Sequence, residues 1–282
     1  TFRFQFSQPI DPATVSYGHD GSVRLVDAEG DLVAARLLVD GPYMTLDPRD
    51  EYLTPGARYT LYLEPELASR YGESFAGEDF RFQPKDSSPN GEPVFMVQRI
   101  TEPDDPGAGD GESSLTGQPI NQVPVNSTLL GQDSATQSSG NVSAELASTV
   151  SYPDVTPFRI ARGTLLTGSN IDVMIGGAVP AGISSGQVNM HFLSDATGYM
   201  VPNPYSTADD APRVVKLFMD VAINTENPEA NGGFTQDLLH IELIGLANIN
   251  PDQGALNLDA VSMVEPDVLG QEFANGLLSF QL

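Results

Sequence analysis

Four oxygen-bearing residues near the end of the chain have a spacing that could bind a metal ion. Asn248, Asn250, Asp252 and Asp259 stand at positions 1, 3, 5 and 12 of one segment, which is the ligand spacing of the twelve-residue calcium loop. The loop glycine, Gly254, falls at position 7 instead of 6, and the last ligand is Asp instead of Glu. A turn between two strands is the competing interpretation. We therefore predict that no cofactor is required and that Ca²⁺ is the candidate ion.

A second pattern has the form of a hydrolase motif. Residues 182–186 read G-I-S-S-G, and the G-x-S-x-G chemistry needs the serine on a tight turn between a buried strand and a helix. The following residues, 187–192, alternate like a strand, so a chance match is favoured. His19, His191 and His240 have no zinc-binding spacing. The sequence thus predicts no catalytic residues and a protein that is not an enzyme.

The composition excludes several classes of partner. The formal net charge is −25 and the lysines are Lys85 and Lys216, so the clustered cations that bind nucleic acid or an anionic membrane are missing. The chain has no cysteine, which excludes disulfides and zinc–thiolate sites. No apolar run approaches the roughly 18 residues of a spanning helix, so we predict no membrane insertion. The many carboxylates either keep the protein soluble or bind divalent cations at loops.

The first 85 residues have the pattern of a chain of short strands. Phe2, Phe4 and Phe6 alternate with polar residues, as expected for a strand with one buried and one wet face. Pro55-Gly56 is a strong turn signal, and the run Tyr59–Leu63 alternates again after it. About seven such strands in about 85 residues are typical of an immunoglobulin-like β-sandwich.

Two blocks of this segment also resemble bacterial Ig-like domains of the S-layer type. Residues 4–15 read F-Q-F-S-Q-P-I-D-P-A-T-V, which is similar to the F-x-F-S-x-P-(V/I)-D-P-x-T-V opening of that family. Residues 53–61 read L-T-P-G-A-R-Y-T-L, which is similar to its L-x-P-G-x-x-Y-T segment. The resemblance covers roughly residues 1–85 and implies a domain that lacks its first strand. Asp11-Pro12 is then a turn after the opening strand, and Tyr59 is a candidate tyrosine corner.

The rest of the chain has strand-like apolar runs and resembles no family. Residues 86–92 are a predicted linker, and residues 93–282 are a predicted second, larger β-sandwich-type domain. Residues 102–114 form an acidic loop, because they contain no apolar residue larger than Ala or Pro. At residues 141–150 a short helix is the alternative to a strand. The predicted fold class is therefore all-β, an immunoglobulin-like β-sandwich followed by a larger one.

These features favour a structural or adhesive module over an enzyme. We expect part of a larger secreted or cell-surface bacterial protein, such as a repeat array, filament or adhesin. The expected partners are other protein modules or copies of the same chain, recruited by strand addition at the incomplete first sheet. One alternative is an accessory glycan-binding or hydrolytic module, which the lack of tryptophan weakens, although tyrosine could substitute. The other alternative is a calcium-stiffened surface-layer protein.

Overall fold

The computed structural model describes residues 1–50, 53–86, 94–105, 108–125, 134–176, 178–206, 208, 211–226, 236–250, 255–268, 272–273 and 276–282. The chain divides into two compact units, unit 1 (Thr1–Ser87) and unit 2 (Ser88–Leu282), each with its own hydrophobic core. Of the predicted linker, Asp86 alone lies among the described residues. Apart from a 3-10 turn at Pro12–Thr14, the regular structure in these ranges is strand. The predicted all-β class is confirmed.

Unit 1 is a sandwich of two antiparallel sheets. Its strands are β1 (Phe2–Gln5), β2 (Val23–Val26), β3 (Ala35–Asp40), β4 (Tyr43–Pro48), β5 (Tyr59–Leu63) and β6 (Glu78–Phe82). One sheet has the order β1-β4-β3 and the other β2-β5-β6. Leu25 and Leu61 from one sheet meet Met44 and Leu46 from the other in a single core, where each is at most 2% exposed. Alternate residues of both sheets therefore point inward.

Two local contacts explain how the chain turns in unit 1. The Asp11 carboxylate accepts a hydrogen bond from the Ala13 N–H at 3.0 Å, so Asp11 caps the 3-10 turn Pro12–Thr14. The Tyr59 hydroxyl accepts a hydrogen bond from the Thr54 N–H at 3.1 Å. This bond to the backbone a few residues upstream is the contact that a tyrosine corner makes, as the sequence predicts.

Aromatic contacts join the two sheets of unit 1 at the edge formed by β1 and β6. The ring pairs are Phe2–Phe82, Phe4–Phe80 and Phe6–Phe75, with centroids 5.2, 6.4 and 5.6 Å apart. In the described part of the chain β1 has β4 as its one ladder partner, and β6 has β5. The two sheets are therefore held together here by side chains, because their strands are not hydrogen-bonded to each other.

Unit 2 is built on a twelve-stranded antiparallel sheet with two additional hairpins. Its strands are β7 (Val94–Arg99), β8 (Gln122–Pro124), β9 (Ala135–Ser139), β10 (Asn141–Leu146), β11 (Thr156–Ile160), β12 (Leu165–Gly168), β13 (Asp172–Ile175), β14 (Val179–Ser184), β15 (Val188–Phe192), β16 (Ala196–Val201), β17 (Arg213–Thr225), β18 (Gln236–Asn250), β19 (Ala255–Val264), β20 (Asp267–Val268), β21 (Glu272–Phe273) and β22 (Gly276–Gln281). The main path is β7-β10-β11-β16-β17-β15-β12-β9-β8, and β18, β19 and β22 follow on the other side of β17. The hairpins are β13-β14 and β20-β21.

The long strand β17 connects two halves of the main path: one half is β7-β10-β11-β16 and the other is β15-β12-β9-β8. Residues 214–218 pair with β16 on one side, and residues 221–225 pair with β15 on that same side. The other side of β17 pairs with β18. Val215, Leu217 and Met219 point into the core and are at most 3% exposed, so both halves pack on one shared set of side chains.

The alternative helix at residues 141–150 is not formed, because β10 occupies residues Asn141–Leu146 between β7 and β11. Val142, Ala144 and Leu146 are buried and alternate with outward-facing residues. Ala and Leu are good helix formers, but the two-residue period of burial against the sheet decides the outcome.

Residues after the acidic loop cover the outer side of the last strand, β22. Asn121 is 1% exposed and has a φ of 55°. Its Nδ2 donates hydrogen bonds to the carbonyls of Thr101 and Gln281, each at 2.7 Å. Ile120 forms a parallel bridge with Ser279 of β22. This segment therefore shields an edge strand that could otherwise pair with another chain.

Across the described ranges of both units, no helix has the length and apolar character needed to cross a membrane.

Candidate functional site

The predicted calcium ligands are divided between two neighbouring strands. Asn248 and Asn250 are on β18 and Asp259 is on β19, whereas Asp252 lies outside the described residues. Asp259 stands opposite Leu246, two ladder positions from Asn248, which is about 7 Å along a strand. Asn248, Asn250 and Asp259 therefore belong to paired antiparallel strands, and the calcium site stays a prediction.

The carboxylate of Asp259 has a contact that the sequence does not reveal. Its Oδ1 accepts a hydrogen bond from Ser113 Oγ at 2.7 Å, and its Oδ2 accepts bonds from the N–H and Oγ of Ser114 at 2.9 and 2.8 Å. Asp259 thus ties the end of the acidic loop to β19. Among the residues that the structure describes, no group of three or more His, Asp or Glu side chains is arranged to hold a metal ion.

The G-x-S-x-G segment lies in the β13-β14 hairpin. Ser184 ends β14, and the strand β15 follows shortly after it. Ser185 is fully buried, and its Oγ accepts a hydrogen bond from the Ile171 N–H at 2.9 Å. A nucleophile elbow needs a helix after the serine. The local structure therefore agrees with the interpretation of the motif as a chance match.

A buried polar cluster connects β17, β18 and the loop after β15. His240 Nδ1 lies 2.8 Å from Asp220 Oδ1, and Ser194 Oγ donates a hydrogen bond to Asp220 Oδ2 at 2.6 Å. Each of these side chains is at most 4% exposed. In a nucleophilic triad the imidazole stands between the hydroxyl and the acid, whereas here the carboxylate stands between them. The cluster is therefore a structural element, and its signal in the sequence is the Asp inside the apolar run of β17.

Two cavities among the described residues, one in each unit, are smaller than typical ligand sites. The core of unit 2 holds an apolar cavity of about 30 Å³ with Met190, Phe192 and Met219 in its wall. A pocket of about 100 Å³ in unit 1 has Phe6, Leu67 and Phe75 in its wall. Small-molecule sites usually have volumes of about 300 Å³ or more. Neither cavity is the deep cleft that a glycan-binding or hydrolytic module requires.

The surface best suited to a partner is the outward side of strands β16 to β19, which we call the outer face. Its apolar residues include Tyr199, Val201, Val214, Phe218, Ile244, Leu246, Val261 and Met263. Ladder partners point to the same side of a sheet. One row of partners runs from Tyr199 through Lys216 and Ile244 to Val261. The exposed fractions of Tyr199, Ile244 and Met263 are 38%, 50% and 64%.

The strands beneath the outer face are apolar on both sides. In β17, Val214 and Phe218 point outward, whereas Val215 and Leu217 point into the core. Strands with apolar residues on both sides are usually covered on both. The outer face is therefore as apolar as a sheet surface that is normally buried against another layer. In the described chain, however, its residues are partly exposed to solvent.

The charge within the outer face is neutralised by a neighbouring side chain. The Lys216 ammonium pairs with Glu242 and lies 4.9 Å from the centre of the Phe218 ring. A lysine can lie within an apolar surface when its ammonium group is paired with a carboxylate and its methylene chain packs on apolar neighbours. The row between Tyr199 and Ile244 is therefore not interrupted by an uncompensated charge.

Charged and polar groups border the outer face. On the β11 side, Arg159 pairs with Glu145 and with Asp195, whose Oδ2 lies 2.9 Å from Arg159 Nη1. On the β19 side, Asp259 binds the two serines of the acidic loop. An apolar surface with a polar border is typical of an interaction site.

Apolar contact is the chemistry that this arrangement supports. Covering the exposed parts of Tyr199, Ile244 and Met263 would contribute about 1 kcal/mol for each side chain. Sequence reasoning missed this site because its residues come from four strands, and the strand register alone brings them together. The available signal was the apolar character of both faces of β17.

Comparison with known proteins finds a relative that is named for alkane uptake. The chain is similar over its full length to alkane uptake protein B of Marinobacter nauticus, with 38% identity over 306 aligned positions. It spans 28% of the length of that protein. No family model matches the chain. No solved structure matches it.

Proposed function

We propose that this chain is a non-enzymatic module of a larger bacterial surface protein that takes up hydrocarbon, and that the outer face contacts the hydrocarbon. The exposed apolar row across β16 to β19 carries the proposal. The similarity to a protein named for alkane uptake supports the choice of an alkane as the apolar partner.

Charge favours an uncharged partner for the outer face. The chain has a formal net charge of −25, so a second copy would bring equal charge to this contact, without the backbone hydrogen bonds that offset such repulsion in strand addition. A saturated hydrocarbon carries no charge and forms no hydrogen bonds. It can therefore cover Tyr199, Ile244 and Met263 without desolvating a charge that lacks a partner, because Lys216 is already paired with Glu242.

The shape of the outer face favours a hydrocarbon surface over a single molecule. Sites for single small molecules are concave, whereas the outer face is a row of side chains across neighbouring sheet strands. Such a face can bury its exposed side chains only against an extended apolar surface. The proposed substrate is therefore a droplet or film of alkane, and the proposed role is adhesion to it.

The edge strand of unit 1 supports a second, structural role. The strand β1 has a single ladder partner in the described chain, and edge strands can accept a further strand. Strand addition by another module or another copy would place the chain in an array at the cell surface. Sedimentation at increasing protein concentration tests this role, because a monomer at every concentration would contradict addition by a second copy.

The outer face is tested by adsorption to hexadecane droplets. The double variant Ile244→Gln/Met263→Gln removes two exposed apolar side chains from the outer face. Because each contributes about 1 kcal/mol and about 1.4 kcal/mol is a tenfold change, we expect adsorption to fall at least about tenfold.

A matched control is Val150→Gln/Tyr205→Gln, which changes two side chains that are 88% and 94% exposed outside the outer face. We expect this control to adsorb like the unchanged chain. Equal adsorption by the outer-face variant and the unchanged chain would refute the role of the outer face.

A further inference from the structure

The β13-β14 hairpin ends in an exposed apolar tip. Ile175 and Val179 are ladder partners beside the turn, and their exposed fractions are 64% and 58%. Gly176 has a φ of 59° and Gly182 a φ of 75°, which are conformations that favour glycine. The tip therefore presents branched apolar side chains on a tight turn and exposes them to solvent.

The segment around this tip contains no acidic residue, lysine or arginine. Residues 173–194 hold no Asp, Glu, Lys or Arg, although 18% of the whole chain is charged. In a chain with a net charge of −25, such a segment can contact an apolar partner without removing a charged side chain from water.

The base of the hairpin is fixed to unit 2. The N–H of Ser185 donates a hydrogen bond to the Ile171 carbonyl at 2.8 Å, and the N–H of Gly186 donates one to Asn170 Oδ1 at 2.9 Å. Ile171 is 6% exposed and belongs to the core of unit 2. The tip is thus held on an anchored base.

We propose that the tip of the β13-β14 hairpin inserts into the surface of an uncharged, zwitterionic lipid layer. The polar pair Asp172–Ser184 lies behind the apolar pair Ile175–Val179, because Asp172 is three residues from Ile175 on β13, about 10 Å along a strand, and Ser184 is five residues from Val179 on β14, with a register shift in between. Apolar elements that lie in a lipid interface are buried to about 5–10 Å, near the boundary of headgroups and acyl chains. The change from polar to apolar side chains along the hairpin therefore matches the change from headgroups to acyl chains in a lipid layer. The apolar pair would lie in the acyl region and the polar pair among the headgroups.

A convex tip favours a lipid layer over a folded protein, because a fluid layer accommodates a protruding hairpin without a complementary pocket. An uncharged headgroup is required, since the net charge of −25 repels anionic lipid. The predicted absence of membrane insertion concerns spanning segments, and a tip that enters one leaflet needs no apolar run of spanning length.

A fluorescence experiment tests the insertion directly. The chain has no tryptophan, so Ile175→Trp supplies its single indole at the tip. With phosphatidylcholine vesicles we expect its emission to shift to shorter wavelength and to be quenched by lipids brominated on the acyl chains. The control Tyr205→Trp, at a site that is 94% exposed outside the hairpin, should show neither effect.

A loss-of-binding variant separates this inference from the proposed role of the outer face. Ile175→Thr/Val179→Thr keeps β-branched side chains but lowers their apolar area, so we expect co-sedimentation with phosphatidylcholine vesicles to fall at least about fivefold. Adsorption to hexadecane through the outer face should stay unchanged. An unshifted Ile175→Trp spectrum, a shift with hexadecane but not with vesicles, or tighter binding to anionic than to uncharged vesicles would each overturn the proposal.

Discussion

His240 Nδ1 lies 2.8 Å from Asp220 Oδ1, and the two residues are direct ladder partners on β17 and β18. Their side chains are 4% and 2% exposed, and Ser194 donates a hydrogen bond to the second oxygen of the carboxylate. Buried polar groups of this kind stabilise the fold only while their partners are present. The cluster therefore ties the register of the two longest strands to one set of contacts.

Replacing His240 should destabilise unit 2. The variant His240→Ala leaves the buried Asp220 carboxylate without its imidazole partner, and losing one member of a buried pair costs about 3 kcal/mol of unfolding free energy. Urea unfolding followed by far-UV circular dichroism measures this loss. His191→Ala is the matched control, because His191 is a half-buried histidine on the neighbouring strand β15. A His240→Ala variant as stable as this control would show that the pair contributes little.

Tyr17 should make unit 1 sensitive to alkaline pH. Its hydroxyl donates a hydrogen bond to the carbonyl of Val33, and the Leu25 carbonyl lies 3.4 Å from the same oxygen; burial raises the pKa of Tyr17 above its ordinary value. Because the pKa is higher in the folded state, this contribution to stability is complete below about pH 10 and is lost as the pH rises through the folded-state pKa. We expect the free energy of unfolding to fall over that range.

The variant Tyr17→Phe separates this effect from the titration of the other tyrosines. It should lower the free energy of unfolding at neutral pH by about 1 kcal/mol, the usual contribution of a hydrogen bond. Its further loss above about pH 10 should be smaller than that of the unchanged chain. Parallel stability curves for the two proteins would contradict the assignment to Tyr17.

Gly245 should be intolerant of any side chain. A Cβ at this position would lie 2.0 Å from the Asp259 carbonyl oxygen and 2.4 Å from the Ala260 Cα. Because these are backbone atoms, β18 and β19 would have to separate, and we expect Gly245→Ala to cost about 3 kcal/mol of unfolding free energy. Ile244→Ala, at the adjacent and 50% exposed position, is the control and should cost about 1 kcal/mol. Similar urea midpoints for the two variants would show that the strands adapt.

Calcium dependence should not require Asp259. Its carboxylate already accepts three hydrogen bonds from Ser113 and Ser114, so we expect the difference in unfolding midpoint between about 5 mM calcium and chelator to be the same in Asp259→Asn and in the unchanged chain. A calcium-induced rise that disappears in Asp259→Asn would instead place Asp259 in a metal site with its predicted companions.

Local signals predicted much of unit 1. The alternating run Tyr59–Leu63 is the strand β5 with those same bounds, and Asp11 and Tyr59 make the turn and corner contacts expected of them. These features depend on neighbours within a few residues, which the sequence displays directly.

The sites in unit 2 depend on register, and this is why the sequence does not reveal them. Asp220 and His240 are 20 residues apart, and the row from Tyr199 to Val261 exists only because β17 lies between β16 and β18. Alternation shows that a strand has two faces. It does not show which face remains exposed when both are apolar, as in β17.

Along one side of β17 the paired strand changes from β16 to β15. This arrangement affects how unit 2 responds to mechanical force and to hydrogen exchange with solvent. This strand pairs with β16, β15 and β18, so detaching β16 or β15 from it leaves part of the same central strand without its ladder partner. We expect amide hydrogens on both halves of β17 to exchange only through a shared, cooperative opening. Shear at a droplet or lipid surface would then act on unit 2 as a single mechanical element, which resists as a whole until it unfolds as a whole.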